Sequence, residues 1–432
     1  MKLSEELNWR GFVAENTIKQ PEELDERPHK KFYFGADPSA DSLTIGNLAA
    51  LMMCACFVRH GYQPYLLVGG ATGQIGDPKE NGERDLKTLK EVEHNKVCIR
   101  QQMESIISSE GAANTIGDGD PTNDHYELTM VDNLDWFKDI NYLDFLRTIG
   151  KNLSMTQLLD RKFIQNRIGD GGTGISYAEF SYTLIQGYDF LHLYRTFGID
   201  LQLCGADQFG NASTGVHLIK RIENEQADIW STPLVIDPVS GRKFGKSEGN
   251  AVWLASKDNG SGNFTSVFDF YQFWLNQADE AVEYLIKIYT ILDKQQIDQL
   301  LAEHKIHPEQ RLAQKALAKN VTEVVHGKNS ASAAVLLSEL LFGDRNFNTL
   351  SESDIESVAL LLPTIKLVDY HGELPLIEAL VLTDLCSSRS EAKQLINSNA
   401  ISVNKQKIID QNFKINTTAI LKRGKNKFAL VK

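Results

Sequence analysis

The chain has 432 residues, of which 42% are hydrophobic and 24% charged, and its formal net charge is -12 at pH 7. This length exceeds what one hydrophobic core usually supports, so we expect two or three globular domains. Five cysteines without a CxxC pair argue against a disulfide framework and a zinc ribbon.

Neither export nor membrane insertion is expected. The opening MKLSEELNWRGFV carries acidic residues and lacks the apolar run of an export signal. The longest apolar run, residues 48–58, is too short to cross a bilayer. We therefore expect a cytoplasmic protein with no membrane contact. The histidines form no HxxxH or HExxH pair, so no structural metal site is predicted.

The first half of the chain alternates short apolar runs with helical patterns. The runs that read as strands are 31–37, 64–70, 126–133, 200–207 and 233–237. Helical patterns lie between them at 46–61, 85–109 and 176–197. Alternation of this kind, with nearly all-apolar strands, predicts a parallel sheet covered by helices on both faces.

Polar and glycine residues gather directly after three of these strands. The segments are GADPSADS, GGATGQIGDP and CGADQFGN. In a parallel sheet, ligands bind beyond the carboxyl ends of the strands, where such loops converge. The three segments together therefore predict one shared site.

Two further segments favour an anionic ligand. In TIGN, Thr44 and Asn47 offer side-chain donors at the start of a predicted helix, and Gly46 allows a flat ring to approach the backbone. The stretch GRKFGKSEGN, residues 241–250, concentrates three cations in a chain of negative net charge. Neither GxxxxGK[ST] nor GxGxxG is present, so the usual phosphate loops do not apply.

The helix predicted at 176–197 carries a polar face in apolar surroundings. Tyr182, Gln186 and Asp189 are spaced by four and three residues, which places them on one face. The neighbouring positions are apolar, so this face is expected to line a cavity.

The second half of the chain changes character. Residues 268–342 read as successive helices, whereas 401–432 alternate apolar and polar residues as strands do. Residues 401–432 contain seven lysines, one arginine and one aspartate, a net charge of +7. A basic end on an acidic body favours a contact with the phosphates of a polyanion.

TIGN and KFGKS, some 200 residues apart, resemble the HIGH and KMSKS sequences of class I aminoacyl-tRNA synthetases. The chain is most similar to the bacterial-type tyrosyl-tRNA synthetases, and the likeness covers nearly its whole length. The segments that carry it are GADPSADSL, LVGGATGQIGDP, EFSYTLIQGYDF, GADQFGN, KFGKSEG, FYQFW, SRSEAKQLI and KRGKNKF, which follow in the family's order and spacing.

The resemblance implies an α/β fold with four parts. These are a Rossmann-like parallel-sheet catalytic domain, an α-helical anticodon-side domain, a linker and a small α+β RNA-binding domain of ribosomal-protein type, at 1–248, 249–345, 346–372 and 373–432. It also implies an activity: L-tyrosine and ATP give tyrosyl-AMP and pyrophosphate, and the tyrosyl group then passes to the 3′ end of tRNA(Tyr). Magnesium is expected with ATP, and a homodimer is expected to bind one tRNA across both subunits.

The resemblance also assigns the residues of the tyrosine pocket. Tyr33 and Asp189 would face the phenol, and Gln208 would approach the carboxylate. The ammonium would be held by Asp77, Tyr182 and Gln186.

For ATP, the resemblance places Asp207 and Asn47 at the ribose, Gly46 beneath the adenosine and Thr44 near the γ-phosphate. Asp37 and Ser39 would lie beside the phosphates. Two mobile cationic segments would close over the pyrophosphate portion, with Lys243, Lys246 and Ser247 in one and Lys79 and Arg84 in the other. The second loop is one residue shorter than the common family version. The RNA-binding residues would be Arg389, Lys393, Lys405, Lys407, Lys422 and Arg423.

One motif departs from the family pattern and leaves alternatives open. TIGN replaces both histidines of HIGH, and this form also occurs in tryptophanyl enzymes, so a tryptophan-specific relative is one alternative. A catalytically silent RNA-binding protein of the same architecture is another. The tyrosine pocket residues favour the tyrosine-activating enzyme over both.

Overall fold

The computed structural model describes residues 1–78, 85–108, 127–159, 162–169, 171–239, 241–244, 246–247, 250–424 and 427–432. Within these ranges, residues 157, 162, 163, 246, 247, 250 and 348 are described for the backbone only. The chain divides into two compact units. The first comprises residues 1–265 and 277–317, and the second comprises 266–276 and 318–432.

A five-stranded sheet forms the centre of the first unit. Its strands, in chain order, are β1 (Lys31–Ala36), β2 (Gln63–Val68), β3 (Thr129–Asp132), β4 (Leu201–Gly205) and β5 (Asp228–Thr232). They are arranged β3-β2-β1-β4-β5, and every neighbouring pair runs parallel. The predicted parallel sheet is confirmed, and the carboxyl ends of all five strands lie at one edge.

The predicted strand at 233–237 is wrong. The edge strand is β5, whose residues pair with β4 from Leu201↔Asp228 to Gly205↔Thr232. Beyond it, Ile236 makes only an isolated bridge with Lys243. The sequence DIWST of β5 ends in polar residues and so lacks the apolar run that marked the other strands. Those polar residues are nevertheless buried at the site edge of the sheet.

Helices cover the sheet and make up much of the remaining chain. In chain order they are α1 (Leu3–Arg10), α2 (Ile45–Arg59), α3 (Leu89–Ile107), α4 (Leu134–Phe137), α5 (Tyr142–Thr148), α6 (Met155–Leu159), α7 (Lys162–Ile168), α8 (Tyr177–Phe197), α9 (Phe209–Ile222), α10 (Val267–Leu275), α11 (Asp279–Tyr289), α12 (Lys294–Ile306), α13 (Leu312–Phe342), α14 (Glu352–Ala359), α15 (Leu376–Leu382) and α16 (Arg389–Asn397). The three helices predicted in the first half correspond to α2, α3 and α8. In the described part of the chain, no helix has both the length and the apolar character needed to cross a membrane.

Helix α2 is apolar on all sides and buried along nearly its whole length. Thr44 is its N-cap, and the side chain of Asn47 accepts the Thr44 backbone N–H at 3.0 Å. Every residue of the helix is buried except Gly46 and Asn47 in its first turn. An all-apolar helix requires burial on every face, so the exposed first turn stands out as the part available to a ligand.

The second unit contains a smaller mixed sheet. The strands of this sheet are β8 (Thr364–Ile365), β10 (Ile401–Val403), β11 (Gln406–Lys407), β13 (Ala419–Arg423) and β14 (Lys427–Val431), in the order β11-β10-β13-β14-β8. The short strands β9 (Leu374–Pro375) and β12 (Lys414–Ile415) pair separately. The predicted strands near both ends of 401–432 and the helix in SRSEAKQLI are confirmed.

The compact units do not follow the predicted division into four parts. Residues 249–345, predicted as one helical domain, contribute to both units. Helix α13 is interrupted at Gly327, whose φ of 82° and ψ of 161° are not helical. The division at 248, 345 and 372 therefore stays a prediction.

A buried carboxylate joins α1, α2 and α11 in the first unit. Glu6 Oε1 accepts hydrogen bonds from Arg10 Nε and an Arg59 Nη, both at 2.7 Å, and Oε2 lies 2.7 Å from His60 Nε2. The Arg10 guanidinium also donates to the backbone oxygens of Lys287, Thr290 and Leu292 at 2.7–2.8 Å. Burial raises the pKa of Glu6, but the contacts with His60, Arg59 and Arg10 outweigh it and lower the pKa far below the usual 4.5.

We predict that Glu6→Gln destabilises the protein by about 3 kcal/mol at pH 7, because it leaves two buried guanidinium groups without their carboxylate. The pKa of Glu6 is lower in the folded state than in the unfolded state. Its stabilising effect is therefore complete above the unfolded value of about 4.3 and is lost progressively as the pH falls below it. Urea unfolding at pH 7 and pH 3.5, followed by tryptophan fluorescence, measures this difference.

Glu5→Gln is the matched control, because Glu5 is exposed on the same helix and glutamine retains its capping hydrogen bond. Equal midpoints for the two variants at pH 7 would contradict the prediction. So would a difference that does not shrink in acid.

Candidate active site

A cavity of about 370 Å³ opens at the carboxyl edge of the five-stranded sheet. Thirteen of the predicted site residues line it: Tyr33, Asp37, Ser39, Thr44, Gly46, Asn47, Asp77, Tyr182, Gln186, Asp189, Asp207, Gln208 and Lys243. The fold thus brings residues 33 to 243 of the chain to one place, as the three strand-end segments predicted.

The side chains of four predicted site residues are not described by the structure. Lys79 and Arg84 lie outside the described residues. For Lys246 and Ser247 only the backbone is described: it forms strand β6 (Lys246–Ser247), which pairs with β7 (Asn250–Ala251). The roles of these four side chains stay predictions.

A buried carboxyl group lies in the wall of the cavity. Asp189, on α8, accepts hydrogen bonds from Asn133 Nδ2 at 3.1 Å and Trp136 Nε1 at 3.0 Å. Burial raises the pKa of Asp189 well above its usual 3.8, although both hydrogen bonds lower it and the charges of Asp37 and Asp132 raise it further. The indole and the amide thus fix both carboxyl oxygens in position.

Three buried polar atoms that line the cavity lack a partner within the described structure. They are the hydroxyl oxygen of Tyr33 and the side-chain oxygens of Gln186 and Gln202. An unsatisfied buried polar group costs about 1–3 kcal/mol, so such groups are rare unless a ligand completes them. The cavity is therefore suited to a polar ligand with hydrogen-bonding groups at this depth.

Two more carboxylates lie in the cavity wall, each held by neutral donors. Asp37 accepts from the hydroxyls of Tyr182 at 2.7 Å and Thr72 at 2.6 Å. Asp77 accepts from the amides of Gln208 at 3.0 Å and Asn211 at 3.1 Å. These four donors are neutral, and carboxylates can also pair with a positively charged group on a ligand.

The paired glycines after β2 allow this arrangement. A Cβ on Gly69 would lie 2.1 Å from Thr72 Oγ1 and 2.3 Å from Asp37 Oδ1, and one on Gly70 would lie 2.2 Å from Asp132 Oδ1. Side chains at these positions would displace the carboxylates. The Gly70 N–H instead donates to Asp132 at 3.1 Å.

The first turn of α2 forms another part of the wall. The Thr44 hydroxyl donates to Asn47 Oδ1 at 2.9 Å, which leaves the amide N–H₂ of Asn47 as the donor group of this pair. A Cβ on Gly46 would meet only Thr44 Oγ1, at 3.5 Å, so the space above this glycine is open to the cavity. This geometry suits the approach of a planar ring to the backbone.

Backbone hydrogen bonds connect this first turn to the segment that follows KFGKS. Ile45 N donates to Val252 O at 3.1 Å, and Leu254 N donates to Leu43 O at 2.8 Å. Within the motif, Phe244 N donates to Val235 O at 2.9 Å. Both ends of the cationic loop are therefore anchored in the first unit, and Lys243 lines the cavity.

The predicted RNA-binding residues fall into two groups within the second unit. Lys405, Lys407 and Lys422 line a groove of about 1050 Å³ that also includes Arg345. The other three are associated with α16. There Arg389 pairs with Glu378 at 2.8 Å, Arg423 pairs with Glu391 at 2.7 Å, and Lys393 is exposed.

Several residues of the cavity and its support were missed in the sequence. They are Thr72, Asn133, Trp136, Gln202 and Asn211. Gln202 carried a usable signal, because it is the polar residue within the apolar strand β4. Asn133 and Trp136 carried none, since their role depends on the position of a different helix, α8.

Comparison with known families matches both parts of the chain. Residues 25–343 match the family tRNA synthetases class I (W and Y), and residues 354–431 match the tyrosine–tRNA ligase SYY-like C-terminal domain. Tyrosine–tRNA ligase of Bacteroides fragilis is 36% identical over 447 residues, covering 100% of this chain and 99% of the relative. That of Amoebophilus asiaticus is 37% identical over 441 residues, covering 99% and 98%.

Solved structures with a similar fold include a C-terminally truncated mitochondrial tyrosyl-tRNA synthetase from Aspergillus nidulans. It is 26% identical with a TM-score of 0.67, covering 79% of this chain and 94% of that one. A tryptophanyl-tRNA synthetase from Encephalitozoon cuniculi, 11% identical with a TM-score of 0.52 over 82% of this chain and 91% of that one, shares the fold alone. The chain belongs to the class I tRNA synthetases (W and Y) and, within them, to the tyrosine–tRNA ligases.

Proposed function

We propose that this chain joins L-tyrosine to ATP, giving tyrosyl-AMP and pyrophosphate, and then transfers the tyrosyl group to the 3′ end of tRNA(Tyr). The observation that carries the proposal is the cavity itself. At its buried end are the Tyr33 hydroxyl, which has no partner in the described structure, and the Asp189 carboxyl group. The exposed first turn of α2 and Lys243 also line it. The same wall therefore offers polar groups to a phenol and donors to a nucleotide.

The phenol hydroxyl of tyrosine would form hydrogen bonds with the polar groups at the buried end of the cavity. Its hydroxyl can donate to Asp189 and accept from Tyr33, whose own hydroxyl lacks a partner in the described structure. Phenylalanine would leave the Tyr33 hydroxyl unpaired and would offer no donor to Asp189. Sites built to bind a hydroxyl reject the analogue that lacks it by orders of magnitude, as is known for this class of enzyme.

The amino acid head group would lie among the remaining carboxylates. Asp77, with Tyr182 and Gln186, would hold the ammonium, and the unpaired Gln186 oxygen can accept one of its protons. Gln208 would approach the carboxylate through its amide, which already contacts Asp77 at 3.0 Å. The negative region thus orients the amino acid with its carboxylate toward the nucleotide.

ATP would lie across the first turn of α2. Asp207 and Asn47 would contact the ribose above Gly46, with Asp37 and Ser39 beside the phosphates and Thr44 near the γ-phosphate. The tyrosine carboxylate attacks the α-phosphorus, the new P–O bond forms, and the bond to pyrophosphate breaks. Lys243, together with Lys246, Ser247, Lys79 and Arg84, would stabilise the charge that develops on the leaving group.

No protein nucleophile is required, so the protein contributes positioning and electrostatic stabilisation. In the second step, a ribose hydroxyl at the 3′ end of the tRNA attacks the tyrosyl carbonyl carbon. The ester forms and AMP leaves with the electron pair of the broken bond.

Magnesium would accompany ATP. This ion prefers oxygen ligands and retains much of its water. The carboxyl groups of Asp37, Asp77 and Asp189 already accept hydrogen bonds from protein donors. The ion would therefore be held chiefly by the phosphates and water.

A second copy of the chain is the proposed protein partner. Five large hydrophobic side chains between residues 142 and 177 are 46% to 71% exposed: Tyr142, Leu143, Met155, Ile168 and Tyr177. Clusters of exposed apolar side chains favour a protein interface. A dimer would also let one tRNA contact the catalytic cavity of one chain and the basic domain of another.

The tRNA would bind the second unit through phosphate contacts. Lys405, Lys407 and Lys422 line one groove and would provide salt-dependent affinity without base specificity. Arg389, Lys393 and Arg423 would form an adjoining contact.

The domain limits given above and a cytoplasmic location stay predictions.

We predict that labelled pyrophosphate exchanges into ATP in the presence of tyrosine and not of phenylalanine or tryptophan. Asp189→Ala should lower the tyrosine-dependent rate by roughly 10- to 100-fold, because it removes a buried hydrogen bond to the phenol. Asp135→Ala is the control, since Asp135 is exposed on the same helix as Trp136.

Exchange with tryptophan instead of tyrosine would identify a tryptophan-specific enzyme. No exchange with any of the three, from folded protein that binds RNA, would establish the catalytically silent RNA-binding protein. Either result overturns the proposed function.

We predict that the chain is dimeric at micromolar concentration and that Leu143→Asp weakens the dimer by roughly tenfold or more, because it places a charge in an apolar interface. Sedimentation velocity over a range of concentrations measures this. Ile306→Asp is the control, since Ile306 is 71% exposed elsewhere in the first unit. A monomeric native chain, or equal behaviour of both variants, would refute the proposed interface.

We predict that Lys407→Ala weakens tRNA binding and reduces the slope of log affinity against log salt by about 1, the effect of one lost phosphate contact. Tyrosine-dependent pyrophosphate exchange should not change. Lys366→Ala, at an exposed lysine of the second unit away from the groove, is the control. An unchanged salt slope for Lys407→Ala would remove this lysine from the RNA contact.

A further inference from the structure

One side chain at the end of α11 contacts both nucleotide motifs. Tyr289 is completely buried, and its hydroxyl donates to the backbone oxygen of Ile45 at 3.0 Å. Its ring packs against the ring of Phe244, with 5.9 Å between centroids and an angle of 36° between planes. Ile45 belongs to TIGN and Phe244 to KFGKS, so this residue connects the two motifs directly.

The two contacts lie next to the groups proposed to act on ATP. Ile45 is the first residue of α2, between Thr44 and the exposed Gly46 and Asn47. Phe244 directly follows Lys243, which lines the cavity. Beyond the loop, backbone hydrogen bonds already join Ile45 of TIGN to Val252, and the preceding Leu43 to Leu254. Tyr289 connects TIGN to the other end of the loop, at Phe244 next to Lys243.

The support behind Tyr289 is itself fixed. Arg10 donates to the backbone oxygens of Lys287, Thr290 and Leu292, on both sides of Tyr289. Arg10 is in turn held by Glu6 through a contact of 2.7 Å. Tyr289 therefore projects from an anchored chain segment, and its hydroxyl and ring can set the distance between the two motifs.

We propose that Tyr289 is a positioning residue for tyrosine activation, which holds Lys243 at the correct distance from the first turn of α2. The inference rests on the proposed function. Stabilisation of the leaving pyrophosphate depends on donors from both motifs, so a small displacement of one relative to the other lowers the rate of that step. Transfer to tRNA occurs after pyrophosphate has left and does not need this distance.

The test is Tyr289→Phe, which removes the hydrogen bond to Ile45 and keeps the ring against Phe244. Rapid-quench measurement of tyrosyl-AMP formation should show a rate constant about tenfold lower. Tyrosine affinity, and transfer from the preformed adenylate to tRNA, should stay within about twofold of the native values. Tyr62→Phe is the matched control, because Tyr62 is equally buried, donates to Leu24 O at 2.6 Å and packs against Phe57.

A double-mutant cycle with Lys243→Ala separates positioning from general destabilisation. If Tyr289 acts through Lys243, Tyr289→Phe should have less than about a threefold effect once that lysine is absent. An equal effect in both backgrounds overturns the proposal, as does a Tyr289→Phe variant that matches Tyr62→Phe. Loss spread evenly over tyrosine binding, activation and transfer overturns it as well.

Native protein without tyrosine-dependent exchange would instead mean that the proposed function itself fails, and this inference with it. That result appears before any variant is made. The two failures are therefore distinguishable.

Discussion

The site depends on one constraint, the burial of the Asp189 carboxyl group in the cavity wall. Burial of Asp189 raises its pKa, so the neighbouring structure must supply hydrogen bonds to fix its orientation. Asn133 and Trp136 provide them, and both follow strand β3. Their placement requires β3 to pair beside β2 with Val68 opposite Asp132. The strand order of the sheet is thus a condition for the pocket.

The distribution of charge over the cavity follows from the same network. Asp132 accepts from the Gly70 N–H and forms an ion pair with Lys96 at 2.7 Å, and its charge still raises the pKa of Asp189. Asp37 accepts hydrogen bonds from the hydroxyls of Tyr182 and Thr72, and Asp77 accepts them from the amides of Gln208 and Asn211. The cation Lys243 enters from a different loop. In the proposed function, the ammonium of the amino acid is attracted to these carboxylates and the anionic nucleotide is attracted to the lysine.

The sequence predicted what depends on local pattern. The polar face of Tyr182, Gln186 and Asp189 could be read from helical spacing, and the shared edge of the sheet from strand alternation. It did not predict contacts set by distant packing. Trp136 reads as an apolar residue of a short helix, and Tyr289 as part of an apolar helix face, until α8 and α2 are placed beside them. Strand β5 was missed because its buried end is polar, since buried polar residues are rare outside such sites.

The replacement of both HIGH histidines has a structural consequence for catalysis. Thr44 and Asn47 are joined by the hydrogen bond from the threonine hydroxyl to the amide oxygen, which orients the amide N–H₂ as a donor without any charge. Imidazole would change its charge between pH 5 and 8, whereas a hydroxyl and an amide do not. The first turn of α2 therefore presents neutral donors at every physiological pH, at the positive end of the helix dipole. In the proposed reaction, positive charge toward the phosphates then comes from the lysine side of the cavity, where Tyr289 packs against Phe244 next to Lys243.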